Sequence, residues 1–399
     1  MILSIGTVIN SSKRGLGMKI HRVEKGESIR SIAASYELSP IKLAENNGIA
    51  ERERLIEGEE LLVLTPTRTA TAKRGDTPED IARRYSVRVE DIYAYNPELS
   101  IQRGTYAGQP LVIRYDGGRY GMGIGNGYYY QGCSEDSLIT AMPYMSYLTV
   151  ASGVYDGETV SVIFDDTRII ELGRAAGKIP IFRLYLEKGI CQVKLQSVFE
   201  AAMMMAKSRG YGGVTLAGEI DEEAARDGII NARRSFLECE MKLFIEKDVT
   251  ESSNLADYVD GAILTYDKCH MELIPSFEEG EAEVFGEYAK EHESLRSFVD
   301  ISSFLYSDGR FYDEDEIMRR ARRTESSIGR IAGGDCLVLS VGKRGRERGY
   351  IFESMENTRK KLEMVSELGY YGISFDIKRT PIHKLLMFRT MFSAAISLI

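Results

Sequence analysis

Apolar residues near the start of the chain alternate between short extended runs and short helical patterns. A helical period with one buried face is kept by Pro78, Ile81, Ala82 and Tyr85. Thr77 precedes this helix as an N-cap, and Asp80 is placed to complete a capping box. Extended runs lie at 69–72 and 111–113, and a second short helix is predicted to end near Asn96. The predicted order is strand, helix, helix, strand.

The same pattern occurs earlier in the chain, at a constant offset of 49 residues. The offset separates Gly26 from Gly75, Tyr36 from Tyr85 and Asn47 from Asn96. An internal repeat of this period predicts small tandem modules. We place them at residues 18–66 and 67–115, each with a βααβ fold.

These repeats resemble the LysM module, a family that binds N-acetylglucosamine-containing glycans such as peptidoglycan and chitin. In that family the sugar lies in a shallow groove between the turn after the first strand and the loop before the last. The resemblance implies groove residues Gly26, Glu27, Ser28, Gly48 and Ile49 in the first copy, and Gly75, Asp76, Thr77, Pro97, Glu98 and Leu99 in the second. Ser28 and Thr77 are also helix caps, and both roles can hold together. When one module binds a polymer, the second is held close to it, so two modules together would bind more tightly than either alone.

Composition limits what the rest of the chain can be. The chain has 399 residues and is 43% hydrophobic, so the part after the repeats is long enough for one (β/α)8 barrel. Residues 116–399 hold 34 Lys and Arg against 45 Asp and Glu, which argues against nucleic acid as a partner. The five cysteines form no C-x-x-C pair and are interpreted as buried apolar fillers. The histidines lack ligand spacing, and we predict no metal and no cofactor.

Residues 1–17 are interpreted as a leader that is not native. Met1–Ile9 is a short apolar run, but the basic pair Lys13–Arg14 follows it, whereas a signal peptide has its charge first. We expect Met18 to be the natural start. No stretch is long and apolar enough to span a membrane. A glycan-binding protein without a recognisable export signal fits the bacterial cell wall or the spore envelope, with spore-coat proteins as possible partners.

From Gly121 onward, apolar strand-like runs alternate with amphipathic helical stretches, such as 193–209 and 353–368. This alternation is typical of a parallel sheet wrapped in helices, and we predict an α/β fold with a TIM barrel over residues 119–399. The predicted strands are 127–131, 147–152, 180–186, 213–220, 241–246, 261–267, either 298–305 or 337–341, and 371–377. The seventh strand is left open between its two candidates.

Several of these strands resemble those of the family-18 glycoside hydrolases, specifically the LysM-bearing branch associated with spore peptidoglycan. The matching segments, in the family's order, are Asn126–Tyr129, Ala141–Leu148, Leu264–Asp267 and Gly372–Asp376. The resemblance implies that Tyr266 and Asp267 support catalysis.

The family's catalytic signature D-G-x-D-x-D-x-E falls on residues 212–219, where only Gly213 and Glu219 agree with it. Thr215 and Ala217 replace two carboxylates on the face that points into the barrel. In the family the substrate's own acetamido oxygen attacks the anomeric carbon while the Glu protonates the leaving oxygen. The Asp two residues before that Glu orients the acetamido group, which Ala217 cannot do.

A second departure lies at the position of the tryptophan that floors the family's sugar site, where this chain has Asp376 and no Trp anywhere. Two interpretations stay open. In the first, the protein binds glycans and its barrel is catalytically impaired. In the second, it is an active hydrolase of the N-acetylglucosaminidase type with Glu219 as general acid. Glu219 is also the kind of strand-end residue that serves only as an ion-pair partner.

Overall fold

A computed structural model describes residues 17–102, 104–117, 120–187, 195–218, 220, 222–251, 255–266, 280–292, 296–303, 305–331, 336–342 and 347–394. The predicted leader, apart from Gly17, lies outside these ranges. The first repeat contains β1 (Met18–Arg22), α1 (Ile29–Ser35), α2 (Pro40–Asn46) and β2 (Glu60–Leu64). The second contains β3 (Pro66–Thr71), α3 (Pro78–Tyr85), α4 (Val89–Tyr95), an additional α5 (Glu98–Gln102) and β4 (Pro110–Tyr115). In each repeat the two strands pair antiparallel.

The residues that recur between the repeats perform the same local tasks. Thr77 Oγ1 accepts from the amide of Asp80 at 3.1 Å, and Asp80 accepts from the amide of Thr77 at 3.2 Å, which confirms the predicted capping box. Asn47 and Asn96 are buried, and their side-chain oxygens accept from the amides of Leu62 and Val112 at 2.7 and 2.8 Å. Each asparagine therefore fixes the closing strand of its repeat to the preceding helix.

The rest of the described chain is built on eight parallel strands. In chain order the strands of this part are β5 (Met122–Tyr129), β6 (Tyr147–Tyr155), β7 (Val160–Val162), β8 (Ile179–Leu186), β9 (Gly213–Gly218), β10 (Lys242–Asp248), β11 (Gly261–Thr265), β12 (Phe298–Asp300), β13 (Leu305–Ser307), β14 (Arg310–Tyr312), β15 (Ser326–Arg330), β16 (Cys336–Val341), β17 (Arg348–Glu353), β18 (Gly372–Asp376) and β19 (Ser393–Ala394). The barrel order is β5, β6, β8, β9, β10, β11, β12, β18, and pairing of β18 with β5 closes it. The predicted TIM barrel is confirmed.

The helices of this part lie between the strands and on the outside of the barrel. They are α6 (Glu135–Ala141), α7 (Thr167–Ala175), α8 (Leu195–Arg209), α9 (Glu222–Glu238), α10 (Glu281–Glu291), α11 (Glu314–Arg322), α12 (Met355–Glu367) and α13 (Ile382–Met391). Except for α11, these helices pack on the outward faces of the strands in one large apolar cluster. Inside the barrel, one end is filled by Ile124, Tyr147, Ile181, Phe244, Ile263 and Phe298.

The open choice for the seventh strand is settled by the pairing. Phe298–Asp300 pairs with β11 and β18 and is a barrel strand. The other candidate, near Leu337, belongs to a separate antiparallel sheet with the order β14, β13, β17, β16, β15, which we call the inserted sheet. Helix α11 covers one face of the inserted sheet through Ile317, Met318 and Ala321. Both candidates have the apolar composition of a strand, so only long-range pairing separates them.

The two repeats are packed against the barrel unit. The carboxylates of Glu59 and Glu60 in the first repeat pair with Arg322 of α11 at 2.5 Å and Arg330 of β15 at 2.8 Å. In the second repeat, the carbonyl oxygen of Ala94 accepts from the hydroxyl of Tyr144 at 2.5 Å, and Arg389 of α13 pairs with the second repeat. Between the repeats, Lys42 donates to Glu98 at 2.5 Å. These polar contacts add to apolar packing of both repeats against the barrel unit.

A buried carboxylate joins the inserted sheet to the barrel helices. Glu353, at the end of β17, accepts from Lys361 of α12 at 2.7 Å and from Lys384 of α13 at 2.8 Å. Lys361 also reaches Glu281 of α10 at 2.8 Å. Burial by itself raises the pKa of Glu353, but the two ammonium groups outweigh it and lower the pKa to about 2. Four elements thus meet at one ion cluster.

Glu353→Gln should therefore destabilise the fold strongly. It removes the carboxylate that pairs with Lys384 and one of the two carboxylates that pair with Lys361, and breaking a buried pair costs about 3–5 kcal/mol. Because the pKa of Glu353 is depressed, its contribution is complete above about pH 4.5 and is lost as pH falls toward 2. Urea unfolding at pH 6 and at pH 3 measures both effects.

Glu356→Gln is the matched control, since Glu356 lies three residues after Glu353, on α12, in a partly exposed pair with Arg359. It should cost at most about 1 kcal/mol. Equal effects of the two variants would contradict a central role for Glu353.

Candidate functional site

The fourth barrel strand, β9, carries the predicted degenerate positions. Thr215 and Ala217 are fully buried. Thr215 is in register with Arg183 on β8 and with Phe244 on β10, and Ala217 is in register with Tyr185. Among the described residues, the hydroxyl of Thr215 has no hydrogen-bond partner. The strand thus presents two small side chains where the resemblance places carboxylates.

An ion pair joins the strands on either side of β9. Arg183 donates from Nε and Nη2 to the two carboxylate oxygens of Glu246 at 2.7 and 2.8 Å. The hydroxyl of Tyr128, on β5, donates to Glu246 Oε1 at 2.6 Å. Because β5, β8 and β10 are not neighbours in the barrel, these three side chains meet inside it. Burial, followed by the charge of Glu246, raises the pKa of Tyr128 well above its ordinary value.

This group lies at the end of the barrel that is partly open to solvent, since the side chains of Arg183 and Glu246 are 23% and 18% exposed. Glu246 is an acid on a strand adjacent to β9. Its two oxygens already accept three charge-assisted or hydroxyl hydrogen bonds, out of about four that a carboxylate can accept. Its negative charge is balanced by Arg183, so Glu246 differs from the free carboxylate that an acetamido group requires.

Asp376, at the tryptophan position of the resemblance, is also engaged. Its side chain is 5% exposed and accepts from Tyr130 at 3.0 Å and from Arg379 at 2.5 Å. The backbone amides of Lys378 and Arg379 donate to the same carboxylate at 2.8 and 3.0 Å. The carboxylate serves as the anchor of its own turn and offers no apolar floor for a sugar.

Asp300, on β12, is another acid of this region, and its pKa is shifted. Burial raises its pKa to about 6, although the Ser302 hydroxyl, which donates at 2.7 Å, opposes the shift. Sequence reasoning missed both Asp300 and the Arg183–Glu246 pair. The alternation of side chains along these strands predicts that the residues point into the barrel. It does not predict which residue each of them contacts.

The predicted catalytic residues are only partly described. Glu219 and Asp267 lie outside the described residues. Tyr266 is half-buried, and its ring lies 6.5 Å from that of Phe285. No cluster of three or more potential metal ligands occurs within the described ranges. In the same part of the chain, the helices are too short or too polar to cross a membrane.

In the second repeat, the predicted groove turn at Gly75–Thr77 contacts the segment that precedes β4. Gly75 and Thr77 are exposed, and the pKa of Asp76 is lowered to about 2, first by its hydrogen bonds with Arg84. The hydroxyl of Thr105 donates to the carbonyl oxygen of Asp76. Beside it, the ring of Tyr106 is 60% exposed. Tyr106 was missed by the sequence reasoning, although an aromatic residue before Gly108 is visible in the sequence.

The residues predicted for the other side of the second groove are largely buried. Pro97 and Leu99 are buried, and Glu98 pairs with Lys42 of the first repeat. Burial raises the pKa of Glu98, against the opposing effect of Lys42. Leu99, on α5, therefore packs in the core of the second repeat, Glu98 contacts the first repeat, and the later residues Thr105–Gly108 form the exposed edge.

In the first repeat, Gly26 and Ser28 are exposed and Glu27 is partly exposed. The carboxylate of Glu27 is tied to the amide of Glu24 at 2.7 Å and to His21 at 2.8 Å, and these contacts lower its pKa. Gly48 is exposed, whereas Ile49 is buried in the core of the repeat. The turn is accessible, but only part of the predicted loop is.

Fold and site together define a (β/α)8-barrel protein with two βααβ repeats packed on it and a charge-balanced polar group at the barrel mouth. Residues 21–63 and 70–114 match the LysM domain family, so the two repeats are LysM domains. A comparison with curated proteins finds no match.

Two solved structures align with nearly the whole chain, and a third aligns with about two thirds of it. The spore cortex-lytic enzyme SleL of Bacillus cereus aligns with a TM-score of 0.68 and 16% identity over 95% of this chain and 99% of that chain. SleL of Bacillus megaterium QM B1551 aligns with a TM-score of 0.70 and 13% identity, over 96% of this chain and 99% of that chain. A class V chitinase from Pseudomonas fluorescens Pf-5 aligns with a TM-score of 0.56 and 12% identity, over 67% of this chain and 99% of that chain. At these identities the likeness establishes a common fold.

Arg183→Met should destabilise the barrel, because it leaves the Glu246 carboxylate without its cation. Hydrogen bonds to charged groups contribute about 1.5–3 kcal/mol, and the partial exposure of this pair places the loss at the lower end. The double variant with Glu246→Gln should recover part of the loss, since it removes the stranded charge. Urea unfolding of the single and double variants measures this coupling.

Arg234→Met is the control, since Arg234 forms an exposed pair with Glu238 on α9. It should leave the unfolding midpoint unchanged. Strictly additive effects of the Arg183 and Glu246 substitutions would contradict the pairing.

Proposed function

We propose that this protein binds N-acetylglucosamine-containing glycans, such as peptidoglycan, through its LysM domains and that its barrel has little or no hydrolytic activity. The proposed lack of hydrolytic activity depends on which side chains β9 presents to the inside of the barrel. Thr215 and Ala217 are neutral and buried, and the acid on the next strand, Glu246, is paired with Arg183.

The missing charge matters for the chemistry implied by the resemblance. Positive charge develops when the acetamido oxygen attacks the anomeric carbon, and a nearby anion stabilises it. Loss of such electrostatic stabilisation costs about 10²–10³-fold in rate. Arg183 balances the charge of Glu246, so Glu246 does not replace the absent Asp. Asp376 in turn provides a charged anchor where stacking on the sugar face would require an aromatic ring.

The glycan-binding half is supported by the LysM match and by the exposed turns of both repeats. The likeness to spore cortex-lytic enzymes supports a location in the bacterial cell wall or spore envelope. Spore-coat proteins are the partners that such a location suggests.

The alternative function is an active hydrolase of the N-acetylglucosaminidase type. It is favoured by Glu219 at the general-acid position of the signature and by a partly open barrel mouth. In this alternative, Tyr266 supports the reaction and other groups replace Ala217.

An activity assay with a matched variant separates the two functions. Wild-type protein and Glu219→Gln are incubated with peptidoglycan strands and with chitooligosaccharides, and released reducing ends are measured. We expect no difference between them. Removing a working general acid typically lowers the rate 10²–10⁴-fold, so turnover that disappears in Glu219→Gln would establish the hydrolase instead.

A further inference from the structure

The two LysM domains close their last turn through the same hydrogen bonds. In the first, Ile56 donates from its amide to the side chain of Glu59 at 3.0 Å; in the second, Tyr106 donates to the side chain of Gln109 at 3.2 Å. The amides of Gly58 and Gly108 donate, each at 2.8 Å, to the carbonyl oxygens of Val23 and Ala72, the residues that directly follow the first strand of each domain. These contacts make Ile56 equivalent to Tyr106 and Gly58 equivalent to Gly108.

The equivalent turns have opposite surroundings. Gly58 and Gly108 have nearly the same positive φ, 86° and 89°. A methyl group on Gly58 would lie 2.1 Å from the carbonyl oxygen of Ile328, on the inserted sheet. At Gly108, no atom of the described chain lies within 4 Å of that position. One turn is pressed against the barrel unit and the other is open.

The side chains at these two turns differ in the same way, one being buried and the other exposed. Ile56 is 3% exposed and packs with Ile328, Met318 and Leu337 of the inserted sheet and its helix. Tyr106, its equivalent, is 60% exposed. Polar contacts strengthen the docked turn, because the amide of Ile328 donates to the carbonyl oxygen of Glu57 at 2.9 Å. Arg22 donates to the carbonyl oxygen of Ile328 at 3.4 Å.

We infer that the two LysM domains have divided their tasks. The second binds the glycan, with the Tyr106 ring stacking on a sugar face beside the Gly75–Thr77 turn. The first uses the equivalent edge to dock the inserted sheet, so that part of its groove is taken by the chain itself. This inference rests on the proposed glycan binding and goes further by naming the domain and the side chain that contact the sugar.

Two glycine variants test the docking. Gly58→Ala and Gly108→Ala introduce the same strain at positive φ, so their difference isolates the contact with Ile328. Gly58→Ala should lower the Tm by several degrees more than Gly108→Ala. Equal shifts would overturn the docking role of the first domain.

Two side-chain variants test the glycan contact. Full-length protein is titrated with insoluble peptidoglycan, and the unbound fraction gives an apparent Kd. An aromatic contact contributes about 0.5–1.5 kcal/mol beyond its area, so Tyr106→Ala should weaken binding by about tenfold. Ile56→Ala, measured well below its Tm, should bind as the wild type does while its Tm falls.

Lys25→Glu and Arg74→Glu place the same charge change next to the first turn of each domain. We expect only Arg74→Glu to weaken binding. If Tyr106→Ala binds normally and Lys25→Glu does not, the division of tasks is wrong although glycan binding stands. If wild-type protein does not bind peptidoglycan or chitin beads, the proposed function itself fails.

Discussion

The positions of the inserted sheet, three barrel helices and the first LysM domain depend on the ion cluster around Glu353. The carboxylate ends the last long strand of the inserted sheet and holds Lys361 and Lys384, which belong to two different barrel helices. Two residues further along the chain, the amide of Met355 donates to Glu60 of the first LysM domain at 2.8 Å. Buried charges are tolerated only when they are paired, so these elements cannot separate without exposing an unbalanced charge. A rigid arrangement of LysM domain, inserted sheet and barrel follows from this constraint.

The same principle governs the barrel mouth. Thr215 and Ala217 are neutral and buried where the resemblance places two carboxylates, and two of the described acids of the mouth each have a cation. Glu246 has Arg183 and Asp376 has Arg379. A working glycosidase site needs an unbalanced anion to stabilise a developing cation. Glu246 and Asp376 are thus balanced charges that stabilise the polar group of the mouth.

Much of this architecture was predictable because it depends on local patterns. The capping box at Thr77–Asp80 and the buried Asn47 and Asn96 are short-range features, and most barrel strands were found within two or three residues of their bounds. The seventh strand was not determined, because 298–305 and 337–341 have equally apolar compositions and differ only in which strands they pair with. The Arg183–Glu246 pair and the burial of Pro97 and Leu99 were missed for the same reason, since each depends on a partner far away in the chain.

Repetition explains why the difference between the LysM domains was also hidden in the sequence. A repeat predicts equal folds, and the turn hydrogen bonds of Ile56 and Tyr106 show that the folds are equal. What differs is the neighbour, because the first domain meets Ile328 and the second meets solvent. An apolar residue at a docked turn gains by burial, whereas an aromatic ring with a polar tip suits an exposed edge that contacts a sugar. The difference between Ile56 and Tyr106 at equivalent positions is therefore explained by the different partners of the two surfaces.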